Sequence, residues 1–257
     1  MLHVLIAEDN LVNQRLVSDI LTERGHTFMI ASNGLETLLL LEQQKFDVIL
    51  MDGQMPEMDG YQAAREIRRR EHGTDRHIRI IAVTAHAMKE DKALCLDAGM
   101  DDYVTKPIDA DHLIGRIEWQ SDQQSALHGS GAAMHAASAL ETQPAVFDLE
   151  GALKRVRGKV PLLKELLAVL LQDLPKALEE IDKAVVNHDA AQLERTAHRL
   201  RGAVSTICAG AVTEAVSEIE RLGRANTLAA APTAVDNLHL HVAELVTEMH
   251  AYLGELA

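Results

Sequence analysis

The apolar positions of the chain follow two different patterns. Up to about residue 119, short apolar runs alternate with segments in which Leu, Ile, Val and Met recur every three or four residues. The runs at 2–7, 26–31, 47–51, 78–83 and 102–105 predict strands. The periodic segments predict helices: one after Asn10 through Val12, Leu16, Ile20 and Leu21 to Gly25, then 33–44, 61–70, 88–98 and 109–119. Regular alternation of this kind predicts a parallel sheet covered on both faces, and near-continuous apolar character in strands one, three and four fits strands buried on both sides. The expected architecture is flavodoxin-like and doubly wound, with strand order 2-1-3-4-5.

Between 120 and 145 the periodicity fails, and Ser, Gly, Ala, Gln and His dominate. This stretch predicts a flexible linker with a transient helix around 132–140, in which His128 and His135 are solvated. From 146 on there is no strand signal. Asp148 caps a short helix to 156, and helices follow at 161–188, 190–207, 211–222 and 233–253. Pro161 suits a first turn, whereas Pro175 predicts a kink. Four long amphipathic helices and a short one predict an antiparallel four-helix bundle with a covering helix. The domain division is therefore 1–119, 120–145 and 146–257.

Composition narrows the function. The 257 residues carry 39 acidic against 25 basic side chains, a formal charge of −14. From Ala145 on there are sixteen acids and twelve Lys and Arg. Neither half suits a polyanion, so no nucleic-acid partner is expected. Cys95 and Cys208 are far apart and lack metal-ligand spacing, which predicts free thiols in a reducing compartment. No apolar run is long enough to span a bilayer, and the start MLHVLIAEDN is too short and too soon acidic for a signal peptide. A cytoplasmic protein is expected, or the cytoplasmic tail of a membrane-bound one, and Met1 directly before a strand is compatible with a segment of a longer chain.

The candidate chemistry gathers at strand ends, where parallel sheets place their ligands. Glu8 and Asp9 end strand one, and Asp52 ends strand three, its neighbour in the expected order. Taken alone, any of them is equally a helix cap. Together, three converging carboxylates repel one another, and a hard divalent cation relieves this, with Mg²⁺ the natural choice. Thr84 adds a hydroxyl and Lys106 an ammonium to the same rim. Metal site, hydroxyl, fixed cation and open carboxylate are what phosphoryl transfer to an aspartate requires.

The segments AEDN (7–10), MDGQMPEMDG (51–60), AVTAHAM (82–88) and YVTKPI (103–108) strongly resemble the receiver domain of two-component signalling. The resemblance implies that Asp52 is the phosphoacceptor, that Asp9, Asp52 and the Gln54 backbone carbonyl bind Mg²⁺ with Glu8 helping through water, and that Thr84 and Lys106 contact the phosphoryl oxygens. It also implies a Thr84–Tyr103 switch pair, room for a donor at Ala85 and a cis Lys106–Pro107 bond. The wording is that of receivers fused to histidine kinases.

In the helical half, His198 lies roughly 140° around its helix from Leu193, off the stripe of Leu193, Ala197, Leu200, Val204 and Ile207. Arg201, Gly202 and Ser205 share its face at i+3, i+4 and i+7, so an exposed histidine is expected beside a cation and a small residue. The segment AHRLRGAVSTICA (197–209) resembles the histidine-phosphotransfer (HPt) domain, which implies that His198 carries a phosphoryl group, Arg201 supplies the cation, and Gly202 and Ser205 lie on the docking face. Arg201 stands where a lysine is commoner, Ser205 for a Gly or Ala, and Cys208 for a glycine; the last two are expected to crowd that face.

The combined expectation is a phosphorelay module resembling the end of a hybrid sensor histidine kinase. Its partners would be a kinase dimerisation and phosphoacceptor domain and the receiver of a downstream response regulator. No glycine-rich ATP-binding segment occurs in the sequence. Two alternatives stay open at this point: a response regulator with a protein-binding helical output domain, and a Mg²⁺-dependent phosphatase with an aspartate nucleophile. The second would place an Asp where Gln54 stands.

Overall fold

The computed structural model describes residues 1–84, 89–118 and 146–255. The expected linker with its histidines, and Ala85, lie outside the described residues. The first half alternates β1 (His3–Ala7), α1 (Leu11–Glu23), β2 (Thr27–Ala31), α2 (Gly34–Gln43), β3 (Val48–Asp52), α3 (Gly60–Glu71), β4 (Arg79–Thr84), α4 (Lys89–Asp97), β5 (Asp102–Thr105) and α5 (Ala110–Glu118). All neighbouring strands are parallel, in the order β2-β1-β3-β4-β5.

Side-chain alternation along the strands divides the core in two. Val4, Ile6, Val48, Leu50, Ile81 and Val83 face α1 and α5, while Leu5, Ala7, Ile49, Met51, Ile80 and Ala82 face the other layer, with Ala63, Ala64 and Ile67 of α3. Register then decides where the polar strand ends fall. Ala7 pairs with Met51, Asp52 with Val83 and Thr84 with Thr105, so Glu8, Asp9, Asp52, Thr84 and Lys106 emerge on one rim. Helix caps hold the loops between them: Asn10 Oδ1 accepts from Asn13 N at 3.0 Å, and Asp59 with Gln62 forms a reciprocal capping box at the start of α3. The Lys106–Pro107 bond is cis.

The second half is helical: α6 (Leu149–Arg155), α7 (Val160–Val186), α8 (Ala190–Thr206), α9 (Gly210–Arg224) and α10 (Ala231–Glu255). Short turns return each long helix alongside its predecessor, and α10 packs back on α7 to close the ring. The long helix continues through Pro175; lacking an N–H, that residue leaves the Leu171 carbonyl without its helical donor. Leu163, Leu166, Leu170, Leu193, Val204, Val212, Ile219, Leu238 and Leu245 fill the bundle interior.

The two halves pack on each other. Helix α1 lies against α7 and α8, and the buried apolar cluster on the α1/α5 side of the sheet is continuous with the bundle core. The face of α1 turned away from its own sheet is thus the element that joins receiver-like half to bundle.

The tightest backbone approach in the first half lies at Gly60, which donates to Gly53 O at 3.1 Å; a Cβ built there lands on the carbonyl oxygen of Asp52. No rotamer relieves a clash of Cβ with backbone, so the loop that aims Asp52 requires glycine here. Gly60→Ala is expected to destabilise the chain by about 1–3 kcal/mol in urea unfolding, whereas Gly115→Ala, where an added Cβ meets nothing, leaves the midpoint at or above wild type.

Candidate functional site

Glu8, Asp9 and Asp52 each place a carboxylate oxygen within 4.8 Å of the others. Glu8 and Asp52 are buried and Asp9 half-buried. Lys106 bridges two of them, its Nζ 2.6 Å from Asp52 Oδ2 and 2.9 Å from Glu8 Oε2. Burial pushes the Glu8 carboxyl up to about 8, Asp52 and Asp9 adding to the rise while Lys106 opposes it. Burial and Asp52 raise Asp9 to about 6, against the pull of Lys106, Arg199 and His198. For Lys106, burial acts to lower its pKa, but Asp52 and Glu8 outweigh it and hold the ammonium above the ordinary lysine range. One lysine therefore leaves three carboxylates incompletely compensated.

These donors fit a hard divalent cation. They are all oxygen, they cluster at one edge, and their raised pKa values report charge that a cation would neutralise. Gln54 strengthens the fit: its backbone N–H donates to Asp52 Oδ1 at 3.2 Å, and its side-chain Oε1 is buried without a hydrogen bond. Thr84 ends β4 on the same rim, and Tyr103, half-buried on β5, lies under the Lys92 ammonium at 5.4 Å from the ring centroid.

On α8, His198 is not the exposed residue that its helical angle predicts: its side chain is 11 % accessible. Two neighbours cover it. Glu220 of α9 comes within 3.0 Å of the ring Nδ1, and the receiver-like half forms a wall over the same face. Glu220 is itself buried and gathers two further cations, Arg201 at 2.5 Å and Arg224 at 2.8 Å. Burial tends to raise its pKa, but the hydrogen bond and charge of His198, with Arg201, bring it down to about 2. Glu220 is therefore ionised and can only accept, so in the neutral form of the imidazole Nδ1 carries the proton and the Nε2 lone pair is left for chemistry. Arg201, read from the sequence as a cation beside His198, does lie 3.3 Å from Nδ1, yet its charge is paired with Glu220.

Gly202 and Ser205 follow on the same side of α8. A Cβ at Gly202 would come within 3.2 Å of Asn13 Nδ2 on α1, so its absence lets the two helices approach. Ser205 donates back to Gly202 O at 3.2 Å. Cys208 does not crowd this face. It sits past the end of α8 in left-handed backbone, φ 61, with its Sγ beside Gly151 of α6. A glycine would suit that position for its backbone, not for docking.

Asp9, at the edge of the acidic rim, and His198 line one cleft of about 540 Å³, together with Gln54, Pro56, Gln192 and Arg195. Two asparagines stitch its edge. Asn10 Nδ2 donates to Arg199 O at 3.0 Å. Asn13 Nδ2 donates to Glu8 Oε1 at 3.1 Å, and its Oδ1 accepts from Thr206 Oγ1 at 2.9 Å. The arrangement thus places Asp9, the outermost member of the carboxylate cluster, and an oriented imidazole on one open cleft, with Asp52 and Lys106 behind Asp9. Chemically it can move a group that is stable on both oxygen and nitrogen. Glu220 and Asn13 were not singled out from the sequence. The signal for Glu220 was present: an acid interrupts the apolar series 212, 216, 220 at i+4 spacing. Asn13 gave none, because its partners lie on other elements.

Comparison with known proteins agrees with this geometry. The response regulator receiver domain model matches residues 4–118, and the Hpt domain model matches 165–252. The chain is 50% identical over 110 residues to hybrid signal transduction histidine kinase I of Dictyostelium discoideum, covering 41% of this chain and 6% of that protein. It is 43% identical over 108 residues to the sensor histidine kinase GacS of Pseudomonas protegens, covering 41% and 12%. It therefore spans only a small part of these relatives' length. Among solved structures, the receiver domain of a sensor histidine kinase from Pseudomonas aeruginosa, with a magnesium ion in its active-site cleft, is 38% identical, with 45% of this chain and 93% of that one covered and a TM-score of 0.42. Among the described residues no helix is long and apolar enough to cross a membrane. The Hpt match favours the relay reading over the output-domain alternative, and the chain carries a response regulator receiver domain followed by an Hpt domain.

Proposed function

We propose that Asp52 accepts a phosphoryl group from the phosphohistidine of a sensor kinase, that His198 exchanges it with Asp52, and that the receiver of a downstream response regulator takes it from His198. The observation that carries this reading is the shared cleft, lined by His198 on one wall and on the other by Asp9, whose carboxylate lies within 4.8 Å of those of Asp52 and Glu8. In the loading step the P–N bond of the donor histidine breaks and a P–O bond to an Asp52 carboxylate oxygen forms. Transfer onward breaks that P–O bond and forms a P–N bond at His198 Nε2, the nitrogen that Glu220 leaves free. The Nδ1 proton stays where it is, and the Glu220 carboxylate compensates the imidazolium charge that develops.

Mg²⁺ is the cation proposed for Asp9, Asp52 and the Gln54 carbonyl, with Glu8 outside the first ring of ligands; when bound it supplies charge neutralisation on the transferring oxygens. Lys106 contributes the same from the protein, already held between Asp52 and Glu8. Thr84 is proposed as the hydroxyl that meets the phosphoryl oxygens, with Tyr103 following its movement. The boundaries 1–119, 120–145 and 146–257 are proposed as the functional division. The stretch 120–145 is long enough to permit exchange between Asp52 and His198 of one chain.

The relay is tested by labelling with a phosphorylated kinase domain. Acid-stable label on Asp52 and base-stable label on His198 are expected, and Asp52→Asn should lose both; label that still reaches His198 in Asp52→Asn overturns the serial order. For the metal, Mg²⁺ is expected to raise the thermal midpoint of wild type. Asp9→Asn should start from a higher metal-free midpoint, because one repelling carboxylate is gone, and should gain little from Mg²⁺. A wild-type midpoint indifferent to Mg²⁺ contradicts the site.

Glu220 has a folded pKa of about 2 against an ordinary 4.5, so its stabilising contribution is present above pH 4.5 and is lost as pH falls toward 2. The difference in urea-unfolding free energy between wild type and Glu220→Gln should therefore shrink from pH 5 to pH 3. At pH 7 the variant, which keeps an acceptor for Nδ1 but no charge, should load His198 about tenfold more slowly. Equal loading rates would remove Glu220 from the account.

A further inference from the structure

Helix α1 meets the bundle through more than the two asparagines at its start. Arg15, Asp19 and Glu23 fall at i, i+4 and i+8, one stripe along the helix. Each has a partner of opposite charge on the bundle. Arg15 Nε donates to Glu165 Oε2 at 2.6 Å. Lys159 Nζ donates to Asp19 Oδ2 at 2.6 Å and to Glu23 Oε2 at 3.1 Å. Arg157 Nη1 donates to Glu23 Oε2 at 3.2 Å. Along α1 the order is cation, acid, acid; along the bundle, from 165 back to 157, it is acid, cation, cation. The two stripes run in opposite chain directions and match rung by rung.

Exposed ion pairs add little to stability, and the side chains in this ladder are a quarter to a half accessible. Their physical effect is instead on selection. Complementary charges steer encounter and fix register, and juxtaposed like charges reject a wrong partner. A receiver with the opposite order on its first helix would set acid against Glu165 and cations against Lys159 and Arg157. All six residues stand apart from the acidic rim and from His198, so they can vary without touching the chemistry.

We infer that the ladder Arg15–Glu165, Asp19–Lys159, Glu23–Arg157 is the partner-selecting contact of the bundle: it fits a receiver whose first helix presents cation, acid, acid at four-residue spacing. The chain's own receiver carries that order, and a downstream receiver that takes the phosphoryl group from His198 presents it too. This inference rests on the relay reading above for its consequence, but the docking it describes is measurable without phosphoryl transfer.

Charge inversion in the full chain tests it. One variant inverts the α1 stripe (Arg15→Glu, Asp19→Lys, Glu23→Lys), a second inverts the bundle stripe (Glu165→Lys, Lys159→Glu, Arg157→Glu), and a third carries both. At low ionic strength each single inversion should slow exchange between Asp52 and His198 about tenfold, and the doubly inverted chain should recover to within about threefold of wild type. X-ray scattering on the same four proteins should show a larger radius of gyration for the single inversions and a wild-type value for the double. Unchanged exchange and unchanged radius in the single inversions overturn the ladder, as does a double inversion as impaired as the two singles combined. A radius that follows the charges while wild type exchanges no phosphoryl group supports the ladder and refutes the relay instead.

Discussion

The structure depends on the repulsion among three carboxylates brought to one sheet edge. Strand order β2-β1-β3 and the register between β1 and β3 bring Glu8, Asp9 and Asp52 together, and burial deprives Glu8 and Asp52 of water. A protein that wanted only stability would replace such a cluster with apolar residues. Here the folded chain answers with one buried lysine, which satisfies Asp52 and Glu8 and leaves net negative charge at the rim. That residual charge suits the site to a cation, and in the proposed relay the cation would offset the negative charge of the incoming phosphoryl group.

The bundle solves the complementary problem. An imidazole must be nucleophilic at one nitrogen and must tolerate positive charge once it has reacted. In the proposed transfer Glu220 would serve both requirements from a single buried position, and its hydrogen bond to His198, with Arg201, holds that carboxylate ionised. The two solutions meet across α1. Asn13 bonds Glu8 on one side and Thr206 on the other, so the helix that completes the acidic rim is also the helix on which the bundle rests.

Much of this was legible in the sequence. Apolar runs ending in acids, in Thr84 and in Lys106 located the rim, because strand burial and strand-end chemistry leave local signals. His198 was legible from its angle to the core stripe and from Arg201 and Gly202 beside it. Its exposure was misjudged, since what covers it comes from α9 and from the other domain. The charge ladder was invisible for a related reason: Arg15, Asp19 and Glu23 look like any solvated helix face, and their partners lie some 140 residues away. Cys208 looked like an intrusion on a docking surface until its left-handed backbone and its place beside α6 were known.

The central claim is that Asp52 and His198 exchange a phosphoryl group across a cleft that one molecule forms by itself. The most direct measurement is the dependence of that exchange on protein concentration, followed as base-stable label appearing on His198 after Asp52 is loaded. The account predicts a first-order rate that stays constant over a hundredfold range of concentration, and almost no transfer in an equimolar mixture of Asp52→Asn and His198→Gln chains. A rate that rises in proportion to concentration, with efficient transfer in the mixture, would contradict it.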